Sequence, residues 1–293
     1  MTSSLLTIRD FIRYAVSQFE ASNIFFGHGT DNAFDEAVWL VMGALHLPLD
    51  TLENFLDARL TSAEREKLAG FIEARVTKHT PTAYLLKEAW LQGFKFYVDE
   101  RVLIPRSFIA ELLAQDLSPW IEYPEMIESA ADICTGSGCL GILLADSFPN
   151  AAIDVIDISQ DAIDVCNINI DNYGLQNQVT AIQSDMFNAL NGRSYDLIIS
   201  NPPYVDAPSM AALPKEYQNE PQLALGSGDA GLDHTHTLLR EAGNYLNDGG
   251  LLIVEIGHNR DALEAAYPNI AFNWLEVSSG NQFVFLLTKE QLV

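Results

Sequence analysis

Residues 131–159 read ADICTGSGCLGILLADSFPNAAIDVIDIS, and this stretch decides the fold. A short apolar run opens into Cys134-Thr135-Gly136-Ser137-Gly138, an apolar helical stretch follows, and a second apolar run ends at Asp157. Gly136, Gly138 and Gly141 keep the G-x-G-x-x-G spacing. Glycines there let the backbone turn tightly and approach a ligand, and the helix that follows presents free N–H groups. A carboxylate at Asp157, closing the next strand, is placed to accept both hydroxyl hydrogens of a ribose. The unit is therefore a βαβ module for a nucleoside-type cofactor. The fingerprint does not separate NAD from S-adenosylmethionine, because both carry an adenosine.

Outward from this module the pattern repeats. Ser159 caps the next helix and Gly174 ends it. Further apolar runs occur at VTAIQ, YDLIIS, LLIVEIG, AFNWLEV and FVFLL. The first three are spaced as parallel βαβ units require, and the last two, separated by SSGN, form an antiparallel hairpin. A doubly wound sheet of seven strands follows. The third strand runs into QSDMF, where Asp185 reads either as a capping residue beside two core residues, Met186 and Phe187, or as an acceptor for an adenine amino group with those two packing near the ring.

The N-terminal part differs. Up to residue 80 the apolar residues recur at helical spacing, as in Leu5, Ile8, Phe11, Ile12, Ala15, Val16 and Phe19. Thr61 and Glu64 form a capping-box pattern before a further helix. Residues 81–106 read as a connector in which FKFYV and RVLI flank Asp99-Glu100 as a β-hairpin. Ser107 then caps a helix that runs to Leu117. The expected division is a helical domain over 1–80, a hairpin connector over 81–106 and a catalytic domain over 107–293.

Composition bounds the function. Sixteen Lys and Arg against 40 Asp and Glu give a formal charge of −24 over 293 residues. Such a surface repels phosphate backbones and steers basic partners inward, so direct nucleic-acid binding is not expected. Three cysteines, Cys134, Cys139 and Cys166, argue against a disulfide framework. With no long apolar run and no signal-peptide pattern, a cytoplasmic location and no membrane partner are expected.

The second chemical feature is DLIISNPPYVDAP, residues 196–208, at the carboxyl end of the fourth strand, where open α/β sheets bind ligands. A hydride-transfer reading gives Asn201-Pro202-Pro203-Tyr204 nothing to do. A methyl-transfer reading gives each residue a task. An amide or aryl amine nitrogen is a poor nucleophile because its lone pair is delocalised. The Asn201 side-chain oxygen and the Pro202 carbonyl can accept its two N–H hydrogens and stabilise the charge that grows on it. Tyr204 offers a face to a planar amide or base, and the prolines fix the backbone beforehand.

These motifs resemble the Asn-Pro-Pro-Tyr amino-methyltransferases on the class I S-adenosylmethionine-dependent, Rossmann-like α/β fold. The targets in that group are adenine in nucleic acid, cytosine in DNA and the glutamine side chain in protein. A helical N-terminal region, a connector ending VLIPRS, SNPPYVD, NEPQLAL and the final FNWLEVSSGNQFVFLLTKEQLV together resemble the protein N5-glutamine methyltransferases. Within them, the likeness is to the branch acting on large-subunit ribosomal protein L-three. Sister enzymes that modify peptide-chain release factors follow Ile-Pro-Arg with Pro-Glu/Asp-Thr-Glu, whereas this chain has IPRSFIAEL.

The resemblance implies S-adenosylmethionine as cofactor and a basic ribosomal protein as partner. It implies that Cys134, Thr135, Gly136, Ser137, Gly138 and Gly141 wrap the methionine and ribose part of the cofactor. Asp157 would take the ribose, and Asp185 with Met186 the adenine. Asn201, Pro202, Pro203 and Tyr204 would hold the glutamine amide, with Asn201 and Tyr204 as catalytic residues. Arg106 and Glu220 are candidates for the substrate mouth. Cys134 stands where many relatives have glycine, and Met186 where the release-factor enzymes often have an aromatic. His234 and His236 form an H-x-H pair without a third ligand and read as a helix start rather than a metal site. The chemistry needs no metal.

Overall fold

A computed structural model describes residues 4–292, and the chain divides into two compact units. The helical unit holds the residues up to Ala89 together with Val98–Glu100 and Pro214–Glu220. Its helices are α1 (Ile8–Ala21), α2 (Ala33–Ala44), α3 (Leu52–Phe55), α4 (Ser62–Thr77) and α5 (Thr82–Leu86). Thr7 and Asp10 form a capping box on α1, and Thr61 and Glu64 form the expected one on α4. The α1 stripe of Ile8, Phe11, Ile12, Ala15 and Phe19 is buried against Leu40, Val41, Leu68 and Ile72. Apolar periodicity did not reveal the charge inside this unit. Arg75 of α4 is 1 % exposed. It donates to Glu36, to Glu216 at 3.1 Å and to the Phe25 carbonyl at 2.9 Å. His79 Nδ1 also lies 2.9 Å from Glu216. A buried guanidinium is tolerated only when its charge and donors are matched in this way.

The connector departs from expectation. Its hairpin is β1 (Ala89–Leu91) with β2 (Phe94–Phe96), one strand earlier than FKFYV with RVLI. Gln92 and Gly93 have φ of 49° and 81°, the two positive values of a two-residue type I′ turn. Val98, Val102 and Ile104 are buried but lie outside the strands, so their apolarity marks burial rather than a strand. The following helix, α6 (Ile109–Leu113), is shorter than expected, although the Ser107 hydroxyl does accept the Ile109 N–H at 3.1 Å.

The second unit is built on a seven-stranded sheet. In chain order its elements are β3 (Ser129–Ile133), α7 (Cys139–Ser147), β4 (Ala152–Asp157), α8 (Gln160–Tyr173), β5 (Val179–Gln183), β6 (Tyr195–Ser200), α9 (Ala207–Ala212), α10 (Asp233–Glu241), β7 (Leu246–Glu255), α11 (Arg260–Ala266), β8 (Asn273–Trp274) and β9 (Val284–Thr288). The strand order is β5-β4-β3-β6-β7-β9-β8. The sheet is parallel from β5 to β7, and β9 pairs antiparallel with both β7 and β8. All seven apolar runs form strands, although AFNWLEV contributes only Asn273–Trp274. Ile133, Ile156, Ile198, Val254 and Phe285 are fully buried in the core on the sheet. The order reverses between β3 and β6, whose last residues Ile133 and Ser200 are register partners. In open α/β sheets that switch point opens the crevice where ligands bind.

Candidate active site

The chain leaving β3 and the chain leaving β6 therefore emerge side by side, one carrying Cys134–Gly138 and the other Asn201–Tyr204. Between them lies an open cavity whose empty volume, mouth included, is about 1030 Å³. Cys134, Thr135, Gly136, Ser137, Asp157, Asp185, Met186, Asn201 and Pro203 line it. Gly138 and Gly141 do not line it but shape its floor. A Cβ on Gly141 would stand 2.2 Å from Val155 Cγ1, so only glycine lets α7 pack this closely on β4.

Asp132, which the motif reading passed over, underlies the loop. It is fully buried, and its Oδ2 accepts from the Thr135 hydroxyl at 2.5 Å and from Gly141 N–H at 3.1 Å. Burial pushes its carboxyl up to about 7. A lone acid inside an apolar strand was the available signal, since a buried carboxylate needs dedicated donors. Cys134 has φ of 64° and Met186 of 48°, left-handed values that glycine adopts without strain. Their sulfur atoms are 3.9 Å apart.

Asp157 ends β4 facing the cavity. Its Oδ2 accepts Gly136 N–H and its Oδ1 accepts Ser159 N–H, each at 2.9 Å. Each carboxylate oxygen keeps a second acceptor position, so the group retains what a ribose diol requires. Burial raises its pKa, while these N–H groups pull it back. The cavity and its donor set fit an adenosine-bearing cofactor. Phe187 is not part of this wall. It is fully buried and stacks on Tyr245 at 4.7 Å, in the core rather than beside an adenine position.

On the other side, Asn201 Nδ2 donates to the Arg106 carbonyl at 3.1 Å. Because a carbonyl can only accept, this contact fixes which end of the amide faces which way. Asn201 Oδ1 is buried and has no hydrogen-bond partner. A buried, unmatched acceptor is costly unless something supplies its donor. Arg106 contributes through its backbone, and its segment is held from below. Glu255, the last residue of β7, accepts from the Ser107 hydroxyl at 2.6 Å and from Phe108 N–H at 2.8 Å. Burial pushes Glu255 up to about 7.

Pro202 and Pro203 are buried, and Pro203 lines the cavity. Tyr204 does not line it, and a Cβ on Gly257 would lie 2.7 Å from the Tyr204 ring. Pro221, Leu223 and Ala224 form the lip, with Leu223 57 % exposed. Glu220 belongs to the helical unit, where its Oε2 lies 3.4 Å from His28 Nε2. His236 Nδ1 lies 2.8 Å from the Tyr267 hydroxyl, while His234 lines the cavity.

Comparison with known proteins agrees with this geometry. A family model described as the methyltransferase small domain matches residues 110–213. A protein of Neisseria gonorrhoeae named ribosomal protein uL3 glutamine methyltransferase is 57 % identical over 99 % of this chain and 96 % of its own length. Proteins of the same name from Bordetella pertussis and Francisella tularensis are 51 % and 44 % identical, over 98 % and 99 % of this chain and 97 % and 93 % of theirs. Among solved structures, the hMettl16 catalytic domain in complex with MAT2A 3'UTR hairpin 6 superposes with a TM-score of 0.52 at 12 % identity. The match covers 80 % of this chain and 84 % of that one, and it is a likeness of fold.

Proposed function

Since the chain belongs to the family of ribosomal protein uL3 glutamine methyltransferases, we propose that it methylates the side-chain amide nitrogen of a glutamine in ribosomal protein uL3. S-adenosylmethionine, when bound, supplies an electrophilic methyl group on a sulfonium sulfur. The observation that carries the reading is the unmatched Asn201 Oδ1. A glutamine amide N–H is the donor it lacks. Accepting that N–H holds the nitrogen in place and stabilises the positive charge that grows on it as it attacks in line. The Pro202 carbonyl takes the second N–H, Pro203 keeps this edge rigid, and Tyr204 supports the motif from outside the cavity lining. The surplus proton then leaves to water.

On the cofactor side, Cys134–Gly138 wrap the methionine and ribose, with Gly141 beneath them. Asp157 takes the ribose hydroxyls, and Asp185 with Met186 bounds the adenine. Recognition of the protein around the glutamine is assigned to the helical unit, because one side chain carries too little information for selectivity. The enzyme works in the cytoplasm, where ribosomal proteins are made. Asn201→Ala tests the clamp. Turnover should fall at least about 100-fold, as for loss of one oxyanion-hole donor, with cofactor affinity within about threefold. Parallel collapse of cofactor affinity and rate would overturn the role given to Asn201.

A further inference from the structure

The motif that bears Asn201 is itself held by side chains that sequence reading left without a task. Asn259 Nδ2 donates to the Tyr204 carbonyl at 2.8 Å and to the Gly231 carbonyl at 3.2 Å. One residue earlier, the Pro203 carbonyl meets the ring of His234. His234 stands on Ser227, with Nδ1 2.9 Å from the Ser227 hydroxyl oxygen. Ser227 is 2 % exposed, and its oxygen also accepts the His234 backbone N–H at 3.4 Å. A carbonyl can only accept, so the ring nitrogen that faces Pro203, Nε2, carries the hydrogen of the neutral imidazole, and Nδ1 accepts the Ser227 hydroxyl proton. Ser227 is fixed in turn, because its N–H donates to the Val205 carbonyl at 2.9 Å, beside the bridge between Val205 and Gly226.

His234 lines the cavity together with Asn201, Pro203, Asp185 and Met186. Burial holds its imidazole below the ordinary histidine range, while Asp233 on its own helix and Asp185 beyond β5 oppose that shift. Arg101 and Arg106 are the cationic side chains on the same cavity wall. A charged imidazole would cost twice. It would repel both the sulfonium and the nitrogen that is gaining charge, and its Nδ1 could no longer accept from Ser227.

We propose that His234 is a positioning residue of the amide clamp: a neutral imidazole, seated on Ser227, that fixes the Pro203 carbonyl so that Asn201 and Pro202 face the glutamine nitrogen. The inference rests on the proposed methylation of a glutamine amide. The test uses the full-length enzyme, a protein substrate methylated by the wild type, and rates taken from about pH 5 to pH 8, across the ordinary histidine range. Wild-type kcat should fall at the acid end. His234→Ala should lose about 10-fold to 100-fold in kcat, with the cofactor Kd within about threefold, as for misplacement by about 1 Å. His234→Gln, which can donate to Pro203 and accept from Ser227, should recover most of the neutral rate and lose the acid limb. A wild-type kcat in His234→Ala, or an acid limb that survives in His234→Gln, overturns the proposal. Should His234→Ala not fold, the pH profile of His234→Gln decides alone. A wild type that methylates no glutamine overturns the underlying reading as well, whereas active wild type with unaffected variants overturns only the role of His234.

Discussion

Asn201 shows how one side chain becomes specific: its nitrogen is committed to the Arg106 carbonyl, so its oxygen is the end left for a ligand. The Asn-Pro-Pro-Tyr spacing made this residue legible in the sequence, because a strand that runs into two prolines needs a reason. Asn259 and Gly231 gave no such signal, since their partners lie 55 and 27 positions away and are backbone atoms. Gly231 has φ of 72°, and a Cβ there would stand 2.4 Å from the Tyr204 carbonyl oxygen. Gly231→Ala should therefore destabilise the fold by about 2 kcal/mol through strain and overpacking. It should also reduce turnover by displacing Tyr204, and thermal unfolding together with steady-state rates checks both. Wild-type turnover in a destabilised Gly231→Ala would separate this glycine from the site.

Among the elements, β3 and β7 each carry a buried carboxylate near the carboxyl end, Asp132 and Glu255, and both are pushed up to about 7. In the unfolded chain these groups ionise near about 4. Between about pH 4 and pH 7 the folded chain holds protons that the unfolded chain has released, so their contribution lowers stability as pH rises through that window. Asp132→Asn with Glu255→Gln should flatten this part of the pH dependence, as read by denaturant unfolding without cofactor. An unchanged slope would show that both are ionised in the fold. The seven strands were legible because each is an apolar run of its own, bounded by turn residues. The hairpin was not, because Val98, Val102 and Ile104 are as apolar as strand residues yet are buried outside the strands. Its true signal was Gln92-Gly93, a two-residue turn. The same limit hid Arg75, a charge on a helix face that periodicity assigns to the core.

Across the whole molecule the charge is uneven. The sheet-bearing unit carries 24 acidic and seven basic side chains, and the helical unit 16 and nine. Both units are therefore net acidic, and the protein as a whole steers a basic partner toward it. For a basic ribosomal protein, kcat/KM should fall about 10-fold as ionic strength rises from about 0.01 M to about 0.15 M. A short neutral peptide carrying the same glutamine should show little change. Equal salt dependence for both substrates would remove charge steering from the account. Among the described residues no helix is long and apolar enough to cross a membrane.

The most direct test offers unmodified ribosomal protein uL3 and an unmodified peptide-chain release factor side by side to the full-length enzyme with S-adenosylmethionine, followed by intact mass and peptide mapping. The account predicts one methyl group on a glutamine side chain of uL3 and none on the release factor. A cofactor-bound enzyme that leaves uL3 unmodified would contradict it.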